Sequence, residues 1–131
     1  MDKGFANKIK EKAKRIAEDE GKLRELMDQV SEKINSVAKS DQLKQLFHTV
    51  EVFIRMVKNY LSGEYRDYPK RSLLLILFGL IYFMIPIDVI PDFIPLSGFI
   101  DDLTVLLWVY KSIRKDIDAF EEWEKKKVSP A

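Results

Sequence analysis

The stretch Leu73-Leu74-Leu75-Ile76-Leu77-Phe78-Gly79-Leu80-Ile81-Tyr82-Phe83-Met84-Ile85-Pro86-Ile87-Asp88-Val89-Ile90-Pro91-Asp92-Phe93-Ile94-Pro95-Leu96-Ser97-Gly98-Phe99-Ile100-Asp101-Asp102 decides the fold. From Leu73 to Met84 it carries no charged residue, and apolar side chains point in every direction around a helix. Such a helix must be enclosed by protein or by lipid. Gly79 lets a neighbouring helix approach closely. Pro86 ends the helix, because proline removes a backbone donor and disfavours helical geometry at Ile85. The uncharged run from Leu73 to Ile87 covers 15 residues. At about 1.5 Å per residue it reaches roughly 22 Å, short of a hydrocarbon core of roughly 30 Å.

Working outward, the spacing predicts an all-α chain of about five helices. Ile100, Leu103, Leu106, Leu107, Tyr110, Ile113, Ile117 and Phe120 predict one helix from about Gly98 or Phe99 to Trp123. Upstream, Phe5, Ile9, Ala13, Ile16 and Ala17 mark a first helix with a narrow stripe, and Gly21 is placed as its C′ residue. Leu23 to Ala38 forms a second helix, and Ser40-Asp41 supplies the N-cap of a third with a broad apolar face from Leu43 to Leu61. Ser62-Gly63-Glu64 reads as a turn, and Pro69 enters the fourth helix. The expected layout is one domain over 1–131. Amphipathic helices occupy 1–64, a central apolar hairpin with a Pro/Asp-rich turn occupies 65–124, and a frayed tail follows at 125–131.

Composition bounds the chemistry. With 22 basic against 21 acidic residues, no global field draws the chain to nucleic acid. No cysteine is present, so disulfide and thiolate chemistry are excluded. The first residues run into charged helix rather than an apolar leader, so the expected location is cytoplasmic, with association to the membrane from the cytoplasmic side as the alternative. His48 falls on the polar side of the third helix and has no second histidine with which to build a transition-metal site. No set of side chains completes a catalytic apparatus.

The segment Pro86-Ile87-Asp88-Val89-Ile90-Pro91-Asp92-Phe93-Ile94-Pro95, followed by Gly98-Phe99-Ile100-Asp101-Asp102-Leu103, resembles the domain-of-unknown-function 1232 family, also called YkvA-like. The resemblance extends over about Tyr65 to Ile113, with Val89 and Ser97 as mild departures. It implies a small helical module, regarded in many members as membrane-associated, with no established activity.

The motif residues Pro86, Asp88, Pro91, Asp92, Pro95, Gly98, Asp101 and Asp102 are expected to be structural. Asp88 and Asp92 would cap turns, and Asp101 and Asp102 would sit in the first turn of the last helix, where the helix dipole favours negative charge. A rival reading gathers the four aspartates around Ca²⁺ or Mg²⁺, or makes them a carboxylate-based catalytic site; otherwise no cofactor is expected. An antiparallel hairpin brings Lys70 and Arg71 level with Lys111, Arg114 and Lys115, and no basic residue lies between Arg71 and Lys111. The hairpin is therefore basic at its open end, which matches the positive-inside asymmetry of membrane segments. The first seventeen residues add six cations against two carboxylates, a surface for anionic lipid or for water. Trp108 and Tyr110 are placed in the core because their sequence neighbours are apolar, with interface anchoring as the alternative. The expected function is a non-enzymatic helical module that associates with a protein partner or a membrane surface.

Overall fold

The computed structural model describes residues 3–36, 44–84 and 95–128. Among these residues there are six helices and no strand: α1 (Lys3–Ala17), α2 (Glu20–Ser36), α3 (Lys44–Ser62), α4 (Lys70–Met84), α5 (Pro95–Ser112) and α6 (Arg114–Val128). The proposed cap Ser40-Asp41 and the turn residues Pro86, Asp88, Pro91 and Asp92 lie outside the described residues.

The chain is all-α, and α4 is the member that the other helices touch most widely. It contacts α1, α2, α3 and α5. Leu73, Ile76, Leu77, Leu80 and Phe83 are fully buried, while Leu74, Leu75, Tyr82 and Met84 are only half-buried. Each fully buried Leu, Ile or Phe contributes about 1.5–3 kcal/mol, so enclosure of α4 is a large part of what the fold gains. No helix among the described residues is long and apolar enough to cross a membrane.

Gly79 has the role its position suggests. A Cβ built there would lie 3.0 Å from Leu106 Cδ2 and 3.6 Å from Val109 Cγ2, so α5 seats its side chains directly on the α4 backbone. With residue 79 against 106 and 109, and Ser72 bonded to Asp116, α4 and the chain after it run antiparallel.

Boundaries differ from expectation where capping overrides the apolar pattern. Gly21 does not end α1. It lies in the first turn of α2, which Asp19 caps by accepting the Lys22 N–H on Oδ1 at 3.2 Å. Gly63 is the glycine at positive φ, +82°, just past the end of α3, where a residue without Cβ is favoured. Helix α5 starts at Pro95, three residues before the predicted Gly98, with proline in the first helical position where its missing N–H costs nothing. Pro95 and Gly98 are thus helical residues, not part of the turn.

The expected single helix to Trp123 is divided at Ile113. No glycine or proline marks the break, and the apolar spacing runs through it. Three contacts hold it: the Ser112 hydroxyl donates to the Trp108 carbonyl at 2.8 Å, a back-bond of the kind that bends helices; Ser72 Oγ donates to Asp116; and Tyr65 packs edge-on to Phe120 at 5.2 Å. The Arg55 guanidinium donates to both Glu124 carboxylate oxygens at 2.9 and 3.3 Å, fixing α6 to α3. Lys125, Lys126 and Lys127, expected in a frayed tail, form the last turn of α6, and Lys127 pairs with Glu64.

Two consequences can be measured. Gly79→Val should cost about 1–3 kcal/mol by overpacking, and Leu106→Ala should suppress part of that cost in a double-mutant cycle; strict additivity in urea denaturation would refute the contact. Tyr68, whose hydroxyl donates to the Met56 carbonyl at 3.1 Å, has its pKa raised by burial and secondarily by Tyr60, Tyr65 and Asp116. The unfolded chain then loses that proton at lower pH than the folded chain. This contribution to stability is whole below about pH 10 and falls as pH rises above it. Tyr68→Phe should flatten the decline, and an unchanged alkaline slope would contradict the assignment.

Candidate functional site

The most distinctive surface lies at the open end of the hairpin, where the N-terminal half of α4 meets the C-terminal half of α5 and the start of α6. The residues from Leu106 explain how it is presented. Leu106, Val109, Ile113, Ile117 and Phe120 point inward and are buried. Trp108 falls off this stripe and is 56% exposed, the large exposed apolar side chain among the described residues. Tyr110 is half-buried. The expectation that Trp108 belongs to the core is therefore corrected. Its apolar sequence neighbours at one and two residues' distance do not share its helix face, and counting back from Ile113 in steps of three and four would have excluded it.

Trp108 lines a groove of about 160 Å³ together with Ala13, Leu74, Leu75 and Phe78. Lys10, Lys14 and Arg71 also line it, yet its lining surface is apolar throughout. They contribute their methylene stems, and the charged heads project outward, as long cationic side chains do at apolar surfaces. The narrow stripe of α1 explains why the groove exists: Ala13 is the buried residue of α1 here, and its small side chain leaves α4 incompletely covered.

A second cavity, about 850 Å³, adjoins the groove. Arg71, Lys111, Arg114 and Lys115 line it with Ser72, Ser112 and Asp116. The expectation that Lys70 and Arg71 lie level with Lys111, Arg114 and Lys115 is met for Arg71, which lines this cavity with all three. Asp116 is the carboxylate among the lining residues. It accepts a hydrogen bond from Ser72, which is buried, so its position is fixed from inside the bundle. Arg114 Nε is 3.9 Å from Asp118 Oδ2, a loose exposed pair of small energetic weight.

The sequence-predicted motif residues are placed differently. Pro95, Gly98, Asp101 and Asp102 all lie in α5. Because α5 begins at Pro95, its first turn contains no acidic residue. Asp101 and Asp102 are six and seven residues beyond its start, past the first turn where the helix dipole acts, so the first-turn rationale for them is corrected. Among the described residues no three His, Cys, Asp or Glu side chains converge on a metal-sized site. His48 is exposed on α3, as its spacing indicates.

The family described as "Protein of unknown function (DUF1232)" matches residues 72–108, from the buried serine of α4 to the exposed tryptophan of α5. The chain is also 31% identical over 88 residues to the "Uncharacterized membrane protein YkvA" of Bacillus subtilis (strain 168), a match that covers 67% of this chain and 83% of that protein. The chain belongs to the DUF1232 family. No solved structure matches it. The DUF1232 match covers α4 from Ser72 onward and α5 as far as Trp108, with Leu74, Leu75, Phe78 and Trp108 of the groove. The cations Lys10, Lys14, Arg71, Lys111, Arg114 and Lys115 all lie outside it.

The Ser72–Asp116 bond holds the floor of the DUF1232 hairpin's basic cavity, whereas Trp108 holds nothing inside the bundle. Hydrogen bonds to charged groups contribute about 1.5–3 kcal/mol, and water recovers part of this at half-buried Asp116, so Ser72→Ala should lose about 1–2 kcal/mol in urea denaturation. Trp108→Gln should stay within about 0.5 kcal/mol of the parent. An unchanged midpoint for Ser72→Ala, or a large loss for Trp108→Gln, would contradict this division.

Proposed function

We propose that the protein is a non-enzymatic module that docks on an anionic membrane surface, on the cytoplasmic side, through the open end of its α4–α5 hairpin. The observation that carries this reading is the exposed Trp108 beside an apolar groove whose rim bears Lys10, Lys14 and Arg71. An indole has an apolar body and a polar N–H, which suits the boundary between headgroups and chains. Each Lys or Arg held near an anionic leaflet contributes about 1 kcal/mol, and burying the indole adds about 1.5–3 kcal/mol. Lys111, Arg114 and Lys115 extend the same basic face.

Support also comes from the relative whose printed name calls it a membrane protein. With most of α4 enclosed by other helices, association in this reading is peripheral, and the bundle stays folded when it binds. The near-neutral total charge is no obstacle, because attraction at a surface depends on charges within about 10 Å of it, the screening length at ordinary salt.

Sedimentation with vesicles tests the reading. The protein should pellet with phosphatidylcholine vesicles containing phosphatidylglycerol and stay in solution with phosphatidylcholine alone. Binding should weaken as salt rises, and Trp108→Gln should reduce it with the helical circular dichroism unchanged. A protein that ignores anionic vesicles at low salt does not act this way.

A further inference from the structure

The apolar groove and the basic cavity are neighbours that share two residues, Arg71 and Leu75. The groove is lined by apolar surface alone, whereas the cavity joins apolar surface from Pro69, Leu75 and Ile113 to four cations and one carboxylate. Arg71 joins them, with its stem along the groove and its guanidinium available to the cavity. A slot that is apolar at one end and cationic at the other has the polarity of a single phospholipid.

We propose that groove and cavity together bind one anionic glycerophospholipid, with an acyl chain against Leu74, Leu75, Phe78 and Trp108 and the headgroup phosphate among Arg71, Lys111, Arg114 and Lys115. This rests on the membrane reading above and deepens it from attraction to a charged surface to recognition of a lipid molecule.

The chemistry of the cavity selects the headgroup. The Ser72 hydroxyl is committed to Asp116 and the Ser112 hydroxyl to the Trp108 carbonyl, so the donors left for a ligand are Arg71, Lys111 and Lys115, joined by Arg114 when its exposed pair with Asp118 opens. A phosphate accepts from several such donors, and arginine can meet two of its oxygens at once. A choline headgroup would bring its own fixed cation among them. Like charges within a few ångströms repel, so a zwitterionic lipid is disfavoured and one whose headgroup carries only the phosphate charge is favoured. Inorganic phosphate would satisfy the cations but leave the groove and Trp108 uncovered. The lipid covers both, which is why the source of the phosphate is taken to be a lipid.

The test uses a short-chain lipid below its micelle concentration, so that no membrane surface is present. In the protein carrying Trp123→Phe, Trp108 is the sole indole of the sequence. Dihexanoylphosphatidylglycerol should shift its emission to the blue in a saturable way. Dihexanoylphosphatidylcholine and inorganic phosphate should act at least about tenfold more weakly. Arg71→Gln, and separately the pair Lys111→Gln and Lys115→Gln, should weaken the response by about tenfold or more, whereas Lys22→Gln on distant α2 should not. Circular dichroism establishes that each variant is folded.

The outcomes separate the two ideas. Sedimentation with anionic vesicles but no saturable response to the monomeric lipid overturns the slot and leaves the membrane reading standing. An equal response to inorganic phosphate overturns it in favour of a soluble phosphate ligand, and an equal response to the choline lipid overturns the charge selection. A saturable response without vesicle sedimentation upholds the slot and removes the membrane reading.

Discussion

The structure depends on covering an apolar cylinder. Helix α4 offers no polar face to water, so each neighbouring helix is defined by the part of α4 it covers. The closest of these contacts is the seating of Leu106 and Val109 over Gly79. It is a contact only glycine permits without displacement: the Cβ distance of 3.0 Å to Leu106 is tighter than ordinary packing. Glycine costs about 1 kcal/mol of helix propensity, but apolar burial along the two helices exceeds this several-fold. Tertiary packing therefore decides the residue at this position against its local preference.

An apolar helix also creates a polar problem at its ends. The last turn of α4 contains no basic residue to meet its free carbonyls. The cation comes from another helix: Lys33 of α2 donates its ammonium to the Phe83 carbonyl and lies 4.1 Å from the centroid of the Phe83 ring. The same atom thus satisfies an orphan acceptor, complements the negative end of the helix dipole and contacts an aromatic face. At the other end the Pro69 carbonyl accepts the Ser72 and Leu73 N–H groups at 2.9 and 3.3 Å. The aromatic cluster of Tyr65, Tyr68, Phe120 and Trp123 then clamps the connection that precedes α4 against α6. Polar and aromatic contacts thus fix the ends of a helix whose rotation about its axis is set by Gly79 facing α5 and Ser72 facing Asp116 rather than by a polar face.

What could be read from the chain follows from which forces are periodic. Burial along a helix repeats with sequence, so the all-α class, the approach at Gly79 and the level placement of Arg71 with Lys111 and Arg114 were visible in spacing alone. Capping and back-bonding are not periodic. Asp19 displaces the boundary that Gly21 suggests, and the break at Ile113 needs no Gly or Pro because a local Ser112 back-bond and the contacts of Asp116 with Ser72 and of Phe120 with Tyr65 hold it. Trp108 departs from its expected core position for another reason: residues adjacent in sequence lie on different faces of a helix. The candidate site was half legible. Its cations were, but the apolar groove that gives them context arises from the narrowness of α1 at Ala13, which matters only once α1 is laid against α4.

The enclosure of α4 constrains how this protein can meet a bilayer. Exchanging Leu73, Ile76, Leu77, Leu80 and Phe83 from protein to lipid gains little, since both surroundings are apolar, and the helices removed from α4 would expose their own faces. Ile9, Leu23, Leu46, Val50, Phe53 and Met56, all buried in the same core, would then face water. At about 1.5–3 kcal/mol each, exposing all six would cost about 9–18 kcal/mol, the same order as the 5–15 kcal/mol by which domains of this kind are usually stable. Insertion of α4 would therefore amount to unfolding the bundle, while docking through surface that is already exposed leaves every one of these contacts in place. The groove at Trp108 is such a surface: apolar, uncovered and ringed by cations whose heads are already in water. The burial that makes insertion of α4 costly leaves the Trp108 face exposed, so the proposed docking there costs the fold nothing.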